Sequence, residues 1–400
     1  MVDFTFTEEQ KLLRANLQRF AQEEIAPRLK EMIETKEIPR ELIKGMSEMG
    51  LLGMCVSPRY SGLGLEALTA GIVAEELGRA DVGCAIPTFF LVQCAWTYIL
   101  DKYGTEEVKQ EVFPKVRKGE AFVGIGVTEP DVGSDVGSMK TTAVKKGSTY
   151  VVNGEKSYVS GVREAEKYGG GFVTLARTAS ELGTRGMTLL FFPIKDISGV
   201  TIRYLEELGR EGISWGAWSM DNVAIPENYL IGEENRGFYI VNEGFEFARG
   251  LIALVCVGAA TKALENAINY MKQRQAFGQT IAKYEGLQFV LAEDYAKLEA
   301  ARLLACKSLW MYQKEQEEGT FSRFEVSKAI AMAKMLAPLW AFDAANHAMQ
   351  WQGAYGYSTD CPEQRALRGI RSYTLAEGST EIMKLIVTRE LLGKEYLSYR

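Results

Sequence analysis

A chain of 400 residues exceeds what one compact core usually holds, so two or three subdomains are expected. Its 47% apolar and 24% charged residues describe an ordinary soluble globular protein, and a net charge of −6 argues against nucleic acid as the main partner, which would call for a basic face. Six cysteines (Cys55, Cys84, Cys94, Cys256, Cys306 and Cys361) form no CxxC pair, and His347 is the only histidine. No disulfide framework or metal site is expected, and a Ser-His-Asp device has little room.

Residues 1–4 lack a charged-then-apolar leader pattern. From residue 7 to about 119 the pattern is helical, with Leu12, Leu13, Leu17, Phe20 and Ala21 on one face of the first helix. Pro39, Ser61-Gly62 and Gly104-Thr105 punctuate this zone. From 122 to about 232 the period shortens. Residues 149–159 (TYVVNGEKSYV) carry an Asn-Gly pair between strand-like runs and predict a hairpin. Further strands are expected at 172–176, 187–192, 200–204 and 220–225, with no amphipathic helix between them. From 237 onward long helices return, one carrying the stripe Leu291, Tyr295, Leu298, Ala301, Ala305 and Leu309. The expected class is α+β, mainly α, with an N-terminal helical domain (1–121), a middle antiparallel β domain (122–232) and a C-terminal helical bundle (233–400). The longest apolar run, about 251–260, falls short of the roughly twenty residues that span a bilayer, so a soluble, cytoplasmic protein is expected.

Four stretches stand out. Glu377 precedes Gly378, which permits a sharp backbone, and Ser379 or Thr380 can cap the helix that follows. This is either a solvated acid before a cap or a base on a constrained loop. The segment 124–138 (GIGVTEPDVGSDVGS) is rich in glycine and small hydroxyls and suits a phosphate cradle or a plain interdomain loop; Glu129 and the absence of a βαβ unit separate it from a dinucleotide fingerprint. Arg274…Phe277-Gly278 reads as a helix end with a basic last turn and a glycine cap, and 350–357 as a helix running into a glycine turn.

Taken together, Val127-Thr128-Glu129-Pro130…Gly133-Ser134-Asp135, Arg274…Phe277-Gly278, Gln350…Gly353 and Glu377-Gly378-Ser379-Thr380-Glu381-Ile382 resemble, in order and spacing, the signatures of the acyl-CoA dehydrogenase family. The resemblance runs end to end. It implies FAD as cofactor, removal of the proton alpha to an acyl-CoA thioester, and transfer of a hydride from the beta carbon to flavin N5. It places Glu377 at the family's base, since the alternative position before Arg249 holds Ala248. It places Val127, Thr128, Ser134, Tyr158, Ser160, Arg274, Phe277, Gln350, Gly353, Ser379 and Glu381 at the flavin, with Arg274, Phe277, Gln350 and Gly353 at its ADP part across a subunit interface and Ser379 and Glu381 at the other end. Ser134, Glu246, Arg249 and Gly378 match substrate positions. It further implies a homo-oligomer, most often a tetramer, and an electron-transfer flavoprotein as acceptor.

Departures from the family pattern are Tyr158 and Ser160 for tryptophan and threonine, Glu285 for glutamine, Ala354 for glycine, Gly369 for aspartate, and a segment 210–218 containing Trp215 and Trp218. Ala376 stands where straight-chain members often carry tyrosine. The acyl floor expected at 84–92 offers no arginine. Both features suit a short branched or alicyclic acyl group rather than a dicarboxylic one. The competing readings are an enoyl-CoA reductase or another flavin enzyme on the same fold, and a flavin-binding scaffold.

Overall fold

The computed structural model describes residues 5–396; residues 1–4, on which the leader expectation rests, lie outside the described residues. Helices α1 (Glu8–Phe20), α2 (Ala26–Thr35), α3 (Arg40–Glu48), α4 (Ala67–Ala80), α5 (Ala85–Tyr103) and α6 (Glu106–Arg117) form the first block. Thr7 opens α1 with a reciprocal capping box to Gln10, and a π-helical turn, Ala21–Ile25, joins α1 to α2.

The middle block is a sheet of eight strands: β1 (Phe122–Gly126), β2 (Thr142–Lys146), β3 (Thr149–Ser160), β4 (Gly170–Arg177), β5 (Met187–Phe192), β6 (Val200–Leu205), β7 (Trp215–Pro226) and β8 (Leu230–Ile231). The order is β6-β7-β3-β2-β4-β5-β8, with β1 parallel to β4 and the pairing otherwise mainly antiparallel. Two expectations are corrected. Asn153-Gly154 is no turn: β3 runs straight through it to pair with β7, and Gly154 marks a register shift with φ 140, its open side lying against Thr141. The hairpin turn is instead Gly147-Ser148 between β2 and β3, with Gly147 at φ 61. A short helix, α7 (Val162–Tyr168), also interrupts the strands where none was expected. Gly124 and Gly126 leave room on one face of β1 for the rings of Phe172 and Trp218, which stack at 4.5 Å. Packing therefore accounts for that GxG pair.

The third block holds α8 (Gly237–Gln273), a small hairpin of β9 (Gln275–Ala276) and β10 (Gln279–Thr280), then α9 (Glu285–Glu318), α10 (Arg323–Trp351), α11 (Pro362–Tyr373) and α12 (Thr380–Leu392). The short apolar run of the sequence lies within the 37-residue helix α8, long and apolar enough to cross a membrane by composition. Its most apolar window, however, is 89% buried inside the protein, against α4, α5, α9, α10 and α11. Gly258 makes the α4 crossing possible: a Cβ there would lie 2.1 Å from the Glu75 carbonyl oxygen. Gly278 does not cap α8. With Phe277 it forms the two-residue tip of the β9–β10 hairpin, both at positive φ (51 and 82). Of the expected α9 stripe, Leu298, Ala301, Ala305 and Leu309 are buried, while Tyr295 is exposed. Trp218 is core, whereas Trp215 is half-buried against Tyr158. His347 is structural, as its setting in an Ala-rich helix implies: Nδ1 lies 2.7 Å from Asp294 Oδ2 and the ring stacks on Trp351.

The loop from 127 to 138 is tied to the sheet by a buried ion pair. Lys156 Nζ reaches Glu129 Oε1 at 3.0 Å and the Val127 carbonyl at 3.2 Å, while the same carboxylate accepts the N–H groups of Lys140 and Thr141. Removing one partner strands the other charge. Glu129→Ala is expected to cost about 3–5 kcal/mol in urea denaturation, against far less for the double variant Glu129→Gln with Lys156→Met.

Candidate active site

Glu377 lies in the short loop between α11 and α12. Ser379 caps α12 by accepting the Ile382 N–H, as its position after Gly378 suggests. The turn before it is tighter than the sequence indicates, because Glu377 itself is left-handed (φ 57), followed by Gly378 (φ 93). Two cations hold this turn from below. Arg249 on α8 donates from Nε to the Glu377 carbonyl at 2.7 Å, and Lys334 on α10 donates from Nζ to the Gly378 carbonyl. The Glu377 side chain is half-buried, and one of its carboxyl oxygens, Oε2, is buried with no hydrogen-bond partner. Burial pushes the Glu377 pKa up to about 7, against the opposing pull of Arg249 and Lys334. Burial likewise lowers the Lys334 pKa to about 7, with Arg249 acting in the same direction. A carboxyl poised near neutrality can take a proton from a weak carbon acid and hold it.

Lys334 is the residue that sequence reading missed. Its signal was a lysine in phase with the core positions Ile330 and Ala337 of an apolar helix, where a solvated charge has no place. Glu246, one turn before Arg249, is also buried; burial raises its pKa, and Arg323 lies 3.6 Å away.

The floor stretch 84–92 is entirely buried, and Thr88 shares a hydrogen bond of 2.6 Å with the Tyr373 hydroxyl at the end of α11. An arginine does stand beside this floor, although none lies within it. Arg365 of α11 packs against Gly83, but Asp81 holds its charge at 3.0 Å.

On the sheet side, Tyr158 is left-handed (φ 62) and half-exposed, with Trp215 at 5.2 Å between ring centroids. Ser160 Oγ accepts from Arg210 Nη1 at 3.2 Å, and Arg210 is neutralised by Glu207. Thr128 adjoins this edge through its carbonyl, which accepts the Ser157 N–H at 2.9 Å; Val127 is buried and Ser134 exposed. Arg274 and Phe277 on the β9–β10 hairpin, and Gln350 and Gly353 at the end of α10, are all exposed, Phe277 by 97%. Ser379 is half-buried and Glu381 exposed, with the Glu381 pKa lowered by hydrogen bonds at the α12 start. The structure thus joins Glu377, Gly378 and Arg249 in one cluster and gathers Thr128, Tyr158 and Ser160 in another. It leaves Arg274, Phe277, Gln350 and Gly353 facing outward.

Three family models match the chain in series: the acyl-CoA dehydrogenase N-terminal domain over residues 7–120, the middle domain over 124–223 and the C-terminal domain over 235–392. Among relatives, an acyl-CoA dehydrogenase of Bacillus subtilis (strain 168) is 34% identical over 97% of this chain and 99% of its own length. A glutaryl-CoA dehydrogenase of Desulfococcus multivorans is 32% identical over 98% of each chain. Among solved structures, a chain from the electron transferring flavoprotein study of Acidaminococcus fermentans superposes with a TM-score of 0.90 at 30% identity, covering 98% of this chain and 100% of that one. These matches define an FAD-dependent oxidoreductase acting on a CH–CH group of acyl-CoA. The chain belongs to the acyl-CoA dehydrogenase family. Its residues fit the flavin on structural grounds. A buried carboxyl oxygen lacks a partner, a half-exposed aromatic ring and a hydroxyl stand together at 158–160, and an apolar hairpin tip lies open to solvent.

The raised pKa of Glu377 has a cost in stability. Below pH 4.5 the carboxyl is protonated in both folded and unfolded chains; between 4.5 and about 7 only the unfolded chain ionises, so stability is lost as pH rises. A rise from 4.5 to about 7 corresponds to about 3 kcal/mol. Glu377→Gln is expected to exceed the native protein in stability at pH 8 by up to that amount and to match it near pH 4, checked by urea denaturation at both pH values.

Proposed function

We propose that Glu377 is the base of an acyl-CoA dehydrogenase that removes the alpha proton of a short branched or alicyclic acyl-CoA and yields the enoyl-CoA. The observation that carries this reading is the half-buried Glu377 side chain on a left-handed turn, one of its carboxyl oxygens buried without a partner and its pKa raised to about 7. Ser134, Glu246, Arg249 and Gly378 would line the substrate, and the contact from Arg249 to the Glu377 carbonyl supports placing Arg249 and Gly378 beside the base. Bound FAD supplies the acceptor for the hydride that leaves the beta carbon. Tyr158, Ser160, Val127, Thr128 and Ser134 would hold its ring end, Ser379 and Glu381 the base side. Arg274, Phe277, Gln350 and Gly353 would hold the ADP part across a subunit boundary, and the 97% exposure of Phe277 supports a homo-oligomer, proposed as a tetramer. The domains are proposed as 1–121, 122–232 and 233–400.

For the acyl group, the support is the small Ala376 beside the base and the buried floor closed by Thr88 and Tyr373. The Arg365 charge beside that floor is already met by Asp81, which disfavours a distal carboxylate. Similarity to a chain from the electron transferring flavoprotein study supports an electron-transfer flavoprotein as acceptor.

Anaerobic titration of the FAD-loaded protein with straight, branched, alicyclic and dicarboxylic acyl-CoAs tests the reading. Bleaching of the oxidised flavin band is expected to be fastest with branched or alicyclic thioesters; fastest reduction by glutaryl-CoA would reject the acyl assignment. Glu377→Gln is expected to keep FAD and ligand binding while losing about 10²–10⁴-fold in reduction rate. In the native protein kcat/KM is expected to fall about tenfold per pH unit below a limb near pH 7, because the protonated carboxyl cannot accept the proton.

A further inference from the structure

Beyond its contact with the Gly378 carbonyl, Lys334 has no part in the proposed chemistry, yet it is the most deeply buried cation of the site, with no exposed surface. Its neighbours on the core face of α10 are Ile330, Ala331, Ala333 and Ala337, which offer it nothing polar. Pro338, one turn on, has no N–H to give the Lys334 carbonyl, so the helix is also weakened at this point. A lysine is retained in such a place only where its ammonium has specific work. That work is visible: Nζ donates to the Gly378 carbonyl, while Arg249 from α8 donates to the carbonyl of Glu377. Two helices thus each send one cation to one of two consecutive carbonyls. Both of these residues are left-handed, which for glutamate costs about 1–2 kcal/mol. Without these donors the two carbonyls would lose their side-chain partners, and the turn would rest only on flanking backbone bonds such as Thr380 N–H to the Thr374 carbonyl at 3.0 Å.

We propose that Lys334 is a positioning residue for the base, pinning the Gly378 carbonyl so that, with Arg249 on the preceding one, the turn is locked in the form that presents the Glu377 carboxyl. The inference rests on Glu377 being the base. Around Lys334 the charged and titratable groups are Arg249 and Cys256 from α8, Glu377 in the loop and Glu381 on α12. Lys334 also holds the Glu377 pKa below the value that burial alone would give it.

Lys334→Met keeps length and apolar packing while removing donor and charge; Lys334→Arg keeps both. In the FAD-loaded holoenzyme, Lys334→Met is expected to retain FAD and acyl-CoA dissociation constants within about threefold. Its flavin reduction should slow about tenfold or more at pH 7, and the limb of the pH profile should move upward by about one unit. Lys334→Arg is expected to restore the limb and most of the rate. If Lys334→Met cannot be recovered folded, Lys334→Gln, which keeps an N–H donor without charge, carries the same test of the limb. An unmoved limb with native reduction rates overturns the proposal. So does an equal loss at every pH, accompanied by loss of FAD and not restored by arginine, which marks a structural role. Failure of the base reading looks different: the native protein is not bleached by any acyl-CoA, or Glu377→Gln retains turnover.

Discussion

Two buried cations under one turn set the terms for the rest of this molecule. Arg249 and Lys334 lie where water cannot reach them, and each is costly to desolvate. The cost is offset only because α8 and α10 bring both to the same pair of carbonyls, with Glu377 nearby as the compensating acid. That convergence demands closely packed helices, and α8 supplies the means with small residues at its crossings. Gly250 lies beneath Leu309 of α9 and Gly258 against the backbone of α4. The apolar mass of the bundle, which alone would make a stable core, thus also supports a site that is locally strained and unfavourably charged. Such a combination is what a site tuned for chemistry rather than for stability looks like.

The sheet contributes the opposite quality, an edge that is open and comparatively polar. Its interior is filled by the stacked Phe172 and Trp218 beneath the glycines of β1, so β1 and the start of the 127–138 loop have little freedom to move. Lys156 and Glu129 fix that loop to β3, which leaves Thr128, Tyr158 and Ser160 on a rigid support. Left-handed Tyr158 turns from the regular strand course to pack beside Trp215.

How much of this was legible depended on how local each cause is. The order of helices, sheet and helices follows from hydrophobic periodicity, a property of neighbouring residues, and it was readable throughout. The Ser379 cap and the loop carrying Glu377 were readable for the same reason. Asn153-Gly154 misled because a strong local turn signal was overruled by β3 finding a long partner in β7, where the glycine serves as a register shift instead. Phe277-Gly278 misled in the opposite sense, since the chain turns back into a hairpin that a helix-end reading does not contemplate. Lys334 was hidden because its partner lies 44 residues away, and only the packing of α10 on α8 and the terminal loop reveals why a charge stands in an apolar row. The family signatures located Glu377, but neither its left-handed backbone nor its missing hydrogen-bond partner is written in the motif.

What remains is how the Glu377 carboxyl on the bundle keeps its place relative to the Ser160 hydroxyl on the sheet, since the two belong to different blocks. The loop from 206 to 214 answers this with charge. Arg210 pairs with Glu207 while touching Ser160, and Glu211 of the same loop pairs with Arg368 of α11. Arg365, one turn earlier on α11, reaches Asp81 at the corner between α4 and α5, and that Asp81 carboxylate also receives the N–H groups opening α5. Three blocks are therefore linked through α11, the helix whose end leads directly into the Glu377 turn. Buried and partly buried pairs of this kind add little net stability, because desolvation consumes much of the attraction, but they are directional and intolerant of misalignment. An apolar junction of the same area would hold the blocks together equally well and would permit them to slide. The charged junction fixes the register of α11 against the sheet, and with it the spacing between the Glu377 carboxyl and the Ser160 hydroxyl, which the proposed proton and hydride removal would require to be held constant.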